Sequence, residues 1–397
     1  MRVTQALEQS QFLSSIGTLE SNLTQTQNEI SSNQSFTTAS QNPIAAGAVN
    51  SYNQALAQSQ QYVTNSNGAQ TNLNIEDNSL SQVQSQLQSL RDLALEANNG
   101  TLTNSDRASI AAQAVQIQNS LLSLANTQNG NGEYIFGGFD TQSQPFTLSA
   151  TGAVYNGDQG QRQVQIAAGQ SVPDGDNGDA VFNEIKTGNG TFSVAANPAN
   201  TGSSLIGATS VSNPAAFVGG PFTITFSSAT NYTVTNAANT QVAAGTYTDG
   251  QAIAFAGAQV TLSGTPAAND AFSVTPSTNQ SVFTTVQNLI TALQAPISTP
   301  AESTALNNTI SGQINNIDQA LSQTSDVRVS LGGRLNAITT QQSVATAQQT
   351  QLKTTISSLQ GLDYASAITT LDQQNTTLSA ALQAYTITQG LSLFKYL

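Results

Sequence analysis

The residues best suited to chemistry lie in one acidic stretch, Asp-Gly-Asp-Asn-Gly-Asp, from Asp174 to Asp179. Closely spaced carboxylates are the ligands that calcium prefers in proteins. An EF-hand loop also requires an oxygen ligand at its fifth position, glycine at its sixth and glutamate at its twelfth. The chain has Gly178, Asp179 and Ile185 there. We therefore predict a solvent-exposed turn rather than a metal site.

A second candidate is the run Tyr-Ile-Phe-Gly-Gly-Phe at residues 134–139, because glycine-rich loops can bind phosphate. No Gly-Lys-Ser/Thr follows the two glycines, and no helix is predicted to begin there. We predict a tight turn, preceded by a short strand at Tyr134, Ile135 and Phe136.

The chain contains no His and no Cys. It therefore lacks the commonest general base, the commonest zinc ligand and any thiolate. A hydrolase could still be built from carboxylates, but it would need two acidic residues that converge in a pocket. We expect no enzyme, no cofactor and no metal.

Charge narrows the possible partners. The net charge is -13, with only nine Lys and Arg residues, which argues against binding to nucleic acid or to an anionic membrane surface. The chain contains no stretch of about 18 apolar residues, so we predict no membrane-spanning segment. The first twelve residues, MRVTQALEQSQF, lack the apolar core and cleavage site of a signal peptide. We expect a cytoplasmic protein or one that uses a dedicated export route.

Charged residues make up only 8% of the chain, against about 25% in ordinary soluble domains. Ser, Thr, Asn, Gln and Ala must therefore form most of the surface. Because uncharged amides and hydroxyls repel their neighbours weakly, such a surface suits packing against copies of the chain or related subunits.

The helices expected to form the framework of the protein are indicated most clearly by one long periodic segment. From Ile310 to Leu359, fifteen positions follow alternating steps of four and three, and eleven of them are apolar. This spacing places one narrow stripe, here called a seam, along one side of a helix that must pack against another long helix. We predict a helix from Glu302 to Gln360. The fifteen positions are Ile310, Ile314, Ile317, Leu321, Thr324, Arg328, Leu331, Leu335, Ile338, Gln342, Ala345, Gln349, Leu352, Ile356 and Leu359.

Two features interrupt this helix. Gly332 and Gly333 each cost roughly 1 kcal/mol against alanine in an exposed helix, which indicates a bend, a closely approaching neighbour or simple tolerance. Arg328 occupies a seam position and needs a carboxylate partner, which could be Asp326 or a residue of another segment, unless the seam is open to solvent there.

Both chain ends repeat the seam spacing. We expect them to lie side by side. The final residues, LSLFKYL, are apolar and should dock on other subunits or on the protein's own helices. The candidate assembly residues are Phe12, Ile16, Leu19, Leu23, Ile30, Ile368, Leu371, Leu378, Leu382, Tyr385, Leu391, Leu393, Phe394 and Leu397.

Between the ends, the periodicity changes from helix to strand and back. Pro43 begins a second long helix, and Thr103 with Asp106 forms a capping box for a third. Residues 140–280 alternate as short strands, and a helix follows from Val282. We predict an α+β fold: a long antiparallel helical bundle or coiled coil from both chain ends, with an inserted all-β domain. The predicted segments are an assembly helix and loop at 1–42, a helical hairpin at 43–139, the β domain at 140–280, return helices at 281–362 and an assembly helix at 363–397.

Several separate motifs occur in the order found in one protein family. These are MRVTQALEQSQFLSSI, LALEANNGTLTNSDR, LANTQNGNGEYIFGGFDTQSQPF, SDVRVSLGGRLNAI, LDYASAITTL and LSLFKYL. The chain resembles the bacterial flagellin family. Within it, the final segment and the YIFGGF run are more similar to the hook-filament junction proteins than to flagellin itself.

The resemblance implies a structural subunit of the extracellular flagellum, without a cleaved signal peptide. Implied partners are the first hook-filament junction protein, flagellin, copies of the chain in a ring, an export chaperone and the type III export apparatus. It also implies that the terminal helices stay loose until neighbouring subunits cover their apolar faces, and that they polymerise in this way. A flagellin-like filament subunit and a helical ligand-binding or adhesin module are the alternatives. One departure is the loop SSNQSFTTASQNP, which lacks the charges that relatives carry there, so amide hydrogen bonds would have to replace any salt bridge that this loop makes between subunits.

Overall fold

The computed structural model describes the backbone of residues 2–393 and the side chains of residues 6–388. The chain divides into two compact units. Residues 1–64 with 341–397 form the terminal unit, and residues 65–340 form the central unit. Two long helices, α2 and α6, contribute residues to both units.

Seven helices occur in the described part of the chain. Their bounds agree with the sequence periodicity to within a few residues, except for the short α4, which was not predicted. They are α1 (Arg2–Ser32), α2 (Pro43–Ala97), α3 (Asn104–Ala125), α4 (Gly178–Phe182), α5 (Val282–Gln294), α6 (Pro300–Gln360) and α7 (Tyr364–Leu393).

Fourteen short strands lie between α3 and α5. They are β1 (Phe146–Ser149), β2 (Gly152–Tyr155), β3 (Gln163–Ala167), β4 (Gln170–Pro173), β5 (Ile185–Lys186), β6 (Phe192–Ala196), β7 (Leu205–Val211), β8 (Phe222–Ser228), β9 (Asn231–Asn236), β10 (Gln241–Thr246), β11 (Ala252–Phe255), β12 (Ala258–Ser263), β13 (Ala271–Pro276) and β14 (Asn279–Gln280). The α+β prediction, with terminal helices and an inserted all-β region, is confirmed.

The long seam of α6 is at least partly covered along its whole length. All fifteen predicted positions are buried or half-buried, from Ile310 at 0% exposure to the partly covered Leu359. Neither Gly332 nor Gly333 marks a close approach, because a methyl group added at either would meet nothing within 4 Å. The helix continues through both glycines, so the proposal of a closely approaching backbone is wrong.

The core of the central unit joins helices to the first part of the β region. The buried residues of α2, α3, α5 and α6 form one apolar cluster with residues of β1 to β5. At its centre Phe182 contacts the rings of Phe136 and Phe146, with ring centroids 5.1 and 5.4 Å apart. Phe283 of α5 packs on Phe146 at 5.2 Å. The β region therefore begins as part of the helical core.

A second core lies within a β sandwich. One sheet has the strand order β10-β9-β8-β13-β6 and the other β11-β12-β7, with antiparallel pairing in both. The alternating apolar residues that predicted these strands point between the sheets, as expected for period-two patterning. They include Phe222, Ile224, Phe226, Val234, Ile253, Phe255, Val260, Leu262, Phe272 and Val274.

Two buried asparagines of α6 hydrogen-bond to this β region. Asn308 accepts from the backbone N–H of Ile206 at 2.7 Å and donates to the carbonyl of Ser204 at 3.0 Å. Asn316 accepts from the N–H of Gly188 at 2.8 Å. Because β7 is an edge strand, the amide of Asn308 satisfies backbone groups at its start that have no strand partner on that side. The amide of Asn316 instead binds the segment between β5 and β6.

The predicted strand at Tyr134 to Phe136 is wrong. Tyr134 makes only an isolated bridge to Gln128, and Ile135 and Phe136 lie in a turn. The predicted tight turn at the two glycines is confirmed, since a side chain at Gly137 would collide with the backbone of Asp140. The turn buries the Phe136 side chain completely. An aromatic residue can therefore be buried here without a β-strand.

Candidate functional site

The terminal unit contains an antiparallel pair of α1 and α7. The ring of Phe12 stacks on that of Tyr385 at 5.5 Å, and the amide of Gln9 donates to the Tyr385 hydroxyl at 3.3 Å. At the other end of the pair, the hydroxyl of Tyr364 donates to the carbonyl of Ile30 at 3.2 Å. The two chain ends therefore lie side by side, as expected, and supply each other with a partner helix. That they stay loose until other subunits cover them remains a prediction.

The seam of α1 has the predicted phase. Its members alternate in steps of four and three and are all buried or half-buried, with Ile16 only 8% exposed. They are Phe12, Ile16, Leu19, Leu23, Thr26 and Ile30.

The seam of α7 differs from the predicted set. Its covered positions are Ala367, Leu371, Gln374, Leu378, Ala381 and Tyr385. Small and polar residues therefore alternate with the large apolar ones. Ile368 and Leu382 lie one residue beyond this seam and are 49% and 44% exposed. Of the candidate α7 residues whose side chains the structure describes, these two are the ones left open to a partner.

Sequence reasoning missed a further apolar residue beside the same seam. Leu13 is 50% exposed and follows Phe12 directly. The heptad spacing gives Leu13, Ile368 and Leu382 the same position next to the seam, which in an antiparallel pair lies on one side. We call these three residues the flanking face. Leu7 and Ile387 are also exposed, at 62% and 63%. The sequence analysis counted only large apolar residues as seam positions, so it overlooked Ala367 and Ala381, which are covered seam positions of α7.

The remaining candidate residues lie at the edge of the described chain. Leu391 and Leu393 belong to α7, but their side chains are outside the described residues. Phe394 and Leu397 lie outside the described residues altogether.

The uncharged loop between α1 and α2 is held by backbone and amide contacts. Gln34 pairs with Gly361 as an antiparallel bridge, and the N–H of Ser35 donates to the carbonyl of Gln360 at 2.8 Å. The side chain of Gln41 accepts from the N–H groups of Thr37 and Thr38 at 2.6 and 3.0 Å. Amide hydrogen bonds therefore order this loop without any charge.

Charge is distributed unevenly between the two units. No charged residue occurs between Glu29 and Glu76. The terminal unit, residues 1–64 and 341–397, carries only Arg2, Glu8, Glu20, Glu29, Lys353, Asp363, Asp372 and Lys395. Its surface is therefore nearly free of the repulsion that would oppose packing against copies of itself.

The acidic stretch from Asp174 to Asp179 is not the exposed turn that was predicted. Asp174 is buried and pairs with Arg162 at 3.2 Å. Asp176 is half-buried and pairs with Arg334 of α6 at 2.8 Å. Arg162, twelve residues before Asp174, and the distant Arg334 of α6 therefore pair with carboxylates of this stretch. In the described residues no group of three or more carboxylates is arranged to hold a metal ion.

Glu76 of α2 faces this stretch and is fully buried. Its carboxylate accepts from the backbone N–H of Asp176 at 3.3 Å. Burial, and then the charge of Asp176, raise the pKa of Glu76 well above its ordinary value, while Arg334 opposes the shift.

Arg328, the charged member of the α6 seam, is paired. Its guanidinium contacts Asp77 of α2 at 2.9 Å and donates to the amide oxygen of Gln84 at 2.9 Å. The partner lies on another segment, which was one of the three possibilities left open by the sequence.

Comparison with known proteins places these features in a family context. A family model for the bacterial flagellin N-terminal helical region matches residues 3–141, and one for the C-terminal helical region matches residues 314–397. A model for the D2-like domain of flagellar hook-associated protein 1 matches residues 195–276. Within the described residues, no helix has the length and apolar character needed to cross a bilayer.

Individual relatives agree with these models. The chain is 33% identical over 185 residues to flagellar hook-associated protein 3 of Salmonella typhimurium, covering 47% of this chain and 58% of the relative. The chain spans about half the length of the curated relatives it matches. The crystal structure of Xanthomonas campestris FlgL is 34% identical with a TM-score of 0.72, covering 77% of this chain and 99% of that one. The flagellar junction protein FlgL of Legionella pneumophila is 31% identical with a TM-score of 0.72, covering 79% and 100%.

Proposed function

Because this chain belongs to the bacterial flagellin family, in the branch of the hook-associated protein 3 and FlgL relatives, we propose that it is a structural subunit joining the flagellar hook to the filament. The observation that carries the proposal is the match to FlgL junction proteins over nearly their whole solved chains. The paired terminal helices with an inserted β region support a role in assembly rather than catalysis.

The proposed mechanism is burial of apolar surface between subunits. The α1–α7 pair exposes the flanking face of Leu13, Ile368 and Leu382 on a unit that carries little charge. Burying three such side chains stabilises a contact by several kcal/mol at about 25 cal/mol per Å² of apolar surface. Repeated around a ring, the same contact would fix the subunits to one another and to the neighbouring axial proteins. These neighbours are proposed to be the first junction protein and flagellin, after export through the type III apparatus with a chaperone.

A filament subunit is the second candidate, since the two matching helical models are those of flagellin. The two roles differ in what happens to flagellin itself. A filament subunit polymerises into the filament itself, whereas a junction subunit provides the site to which flagellin subunits are added.

Deletion of the gene in its host separates the two roles. For a junction subunit, we expect hooks without filaments and intact flagellin released into the medium, with recovery of filaments when the gene is restored. A flagellin-deletion strain is the matched control, because it also lacks filaments but releases no flagellin. Normal filaments in the deletion strain would contradict both roles.

A further inference from the structure

Three charged residues from separate parts of the chain meet in the interior of the central unit. Glu76 comes from α2, Asp176 from the segment before α4, and Arg334 from α6. Glu76 is 0% exposed, and the side chains of Asp176 and Arg334 are only 12% and 16% exposed. Two acids and one base therefore share a site with almost no solvent.

The hydrogen bonds of this cluster are incomplete. The N–H of Asp176 donates to Glu76 Oε1, and Asp176 Oδ1 accepts from Arg334 at 2.8 Å and from Gln161 at 2.7 Å. The second oxygens, Glu76 Oε2 and Asp176 Oδ2, are buried and have no protein partner, and neither does Arg334 Nη1. A buried carboxylate oxygen without a donor is costly, so two such oxygens in one site indicate that a donor is shared between the two acids.

The charged residues around the cluster are engaged with other partners, so none of them donates a hydrogen bond to Glu76 Oε2 or Asp176 Oδ2. Arg162 pairs with Asp174 at 3.2 Å and lies 3.9 Å from Glu133, and Asn72 donates to Asp174. On the same helix as Glu76, Asp77 pairs with Arg328. Asp179 accepts from Gln159 and Asn183. The cluster of Glu76, Asp176 and Arg334 therefore has one positive charge for two carboxyl groups.

We propose that Glu76 keeps its proton at neutral pH and shares it with Asp176, so that segment 174–179 is held on α2 and α6 by a proton-dependent clamp. With the proton present, the cluster is neutral: one acid, one carboxylate and one guanidinium. When the proton leaves for solvent, two carboxylates face a single guanidinium and segment 174–179 separates from Glu76. The clamp acts within a single chain, so it stands or falls independently of the assembly role.

The direction of the pH effect follows from linkage. The pKa of Glu76 is raised in the closed state above its ordinary value of 4.5, which applies when the segment opens. The closed state therefore binds more protons than the open state, and its advantage is complete below pH 4.5. Opening becomes more favourable by up to about tenfold per pH unit above that value, until the raised pKa is passed.

Hydrogen exchange of the full chain, measured by mass spectrometry at several pH values between 5 and 9 and corrected for intrinsic exchange, tests the clamp. The reporting amides are those of Asp174, Asp176 and Gly178, whose acceptors are Arg162, Glu76 and Phe136. In the wild type, their protection should fall with pH by up to about tenfold per unit. In Glu76→Gln, which is uncharged at every pH and similar in shape, protection should not change with pH.

Glu96→Gln is the matched control, because Glu96 is an exposed glutamate on the same helix and its replacement should retain the wild-type pH dependence. Infrared spectra of the wild type with ¹³C-labelled glutamate provide a measurement that does not depend on a variant's folding. A protonated glutamate band at pH 7 is expected. Absence of that band, pH-independent protection in the wild type, or a wild-type pH dependence in Glu76→Gln would each overturn the proposal.

Discussion

Replacing Phe182 with alanine is expected to lower the free energy of unfolding of the central unit by about 3–5 kcal/mol. The side chain is fully buried and its ring contacts those of Phe136, Phe146 and Phe283, with the last centroid 6.0 Å away. Its removal loses apolar burial and leaves a cavity, since the three surrounding rings belong to different elements and cannot all move inward.

Urea denaturation of the full chain, followed by a signal from the central unit, measures this loss. Phe139→Ala is the matched control, because Phe139 is 65% exposed and its replacement should change the free energy by no more than about 0.5 kcal/mol. Equal effects of the two replacements would show that the aromatic cluster does not form the centre of the core.

Aspartate at both Leu13 and Leu382 is expected to abolish assembly while leaving the folded monomer intact. Both side chains are about half exposed in the single chain, so introducing charge there costs the monomer little. In a subunit contact, each buried and unpaired carboxylate would cost about 3 kcal/mol or more, which weakens association by roughly a hundredfold. Repetition around a ring multiplies this loss.

Filament recovery in the deletion strain measures the effect. The double variant should be present in the cell yet fail to restore filaments, and circular dichroism of the purified protein should match the wild type. Gln383→Asp is the control, since it adds one such carboxylate to an exposed position of α7 outside the flanking face. Full recovery of filaments with the double variant would show that the flanking face is not an assembly contact.

Local periodicity was enough to predict the long helices and the inserted all-β region. The α6 seam and the strands carrying Phe222 or Val260 were identified because a repeated spacing averages over many residues. The same method failed at residues 134–136, where burial of one ring in a turn decided the structure. It also set the α7 seam one residue off at Ile368 and Leu382, because small or polar residues, two alanines and one glutamine, occupy three of the six covered positions.

Long-range polar contacts could not be predicted in this way. Asp176 lies 100 residues from Glu76 and 158 residues from Arg334 in the sequence. Nothing in the spacing of an isolated acidic stretch shows which basic residue will cover it. The same holds for Asn308, whose contact with β7 depends on how a strand edge meets a distant helix. Such positions require tertiary structure because each has one partner rather than a pattern.

The most direct test of the proposed role is the position of the protein in isolated flagella. Electron microscopy with gold-labelled antibodies against the β sandwich, residues 192–276, reports that position without any mutation. A junction subunit predicts one narrow band of label at the boundary of hook and filament, and flagella from the deletion strain provide the unlabelled control. Label spread along the filament, or confined to another part of the cell, would contradict the account.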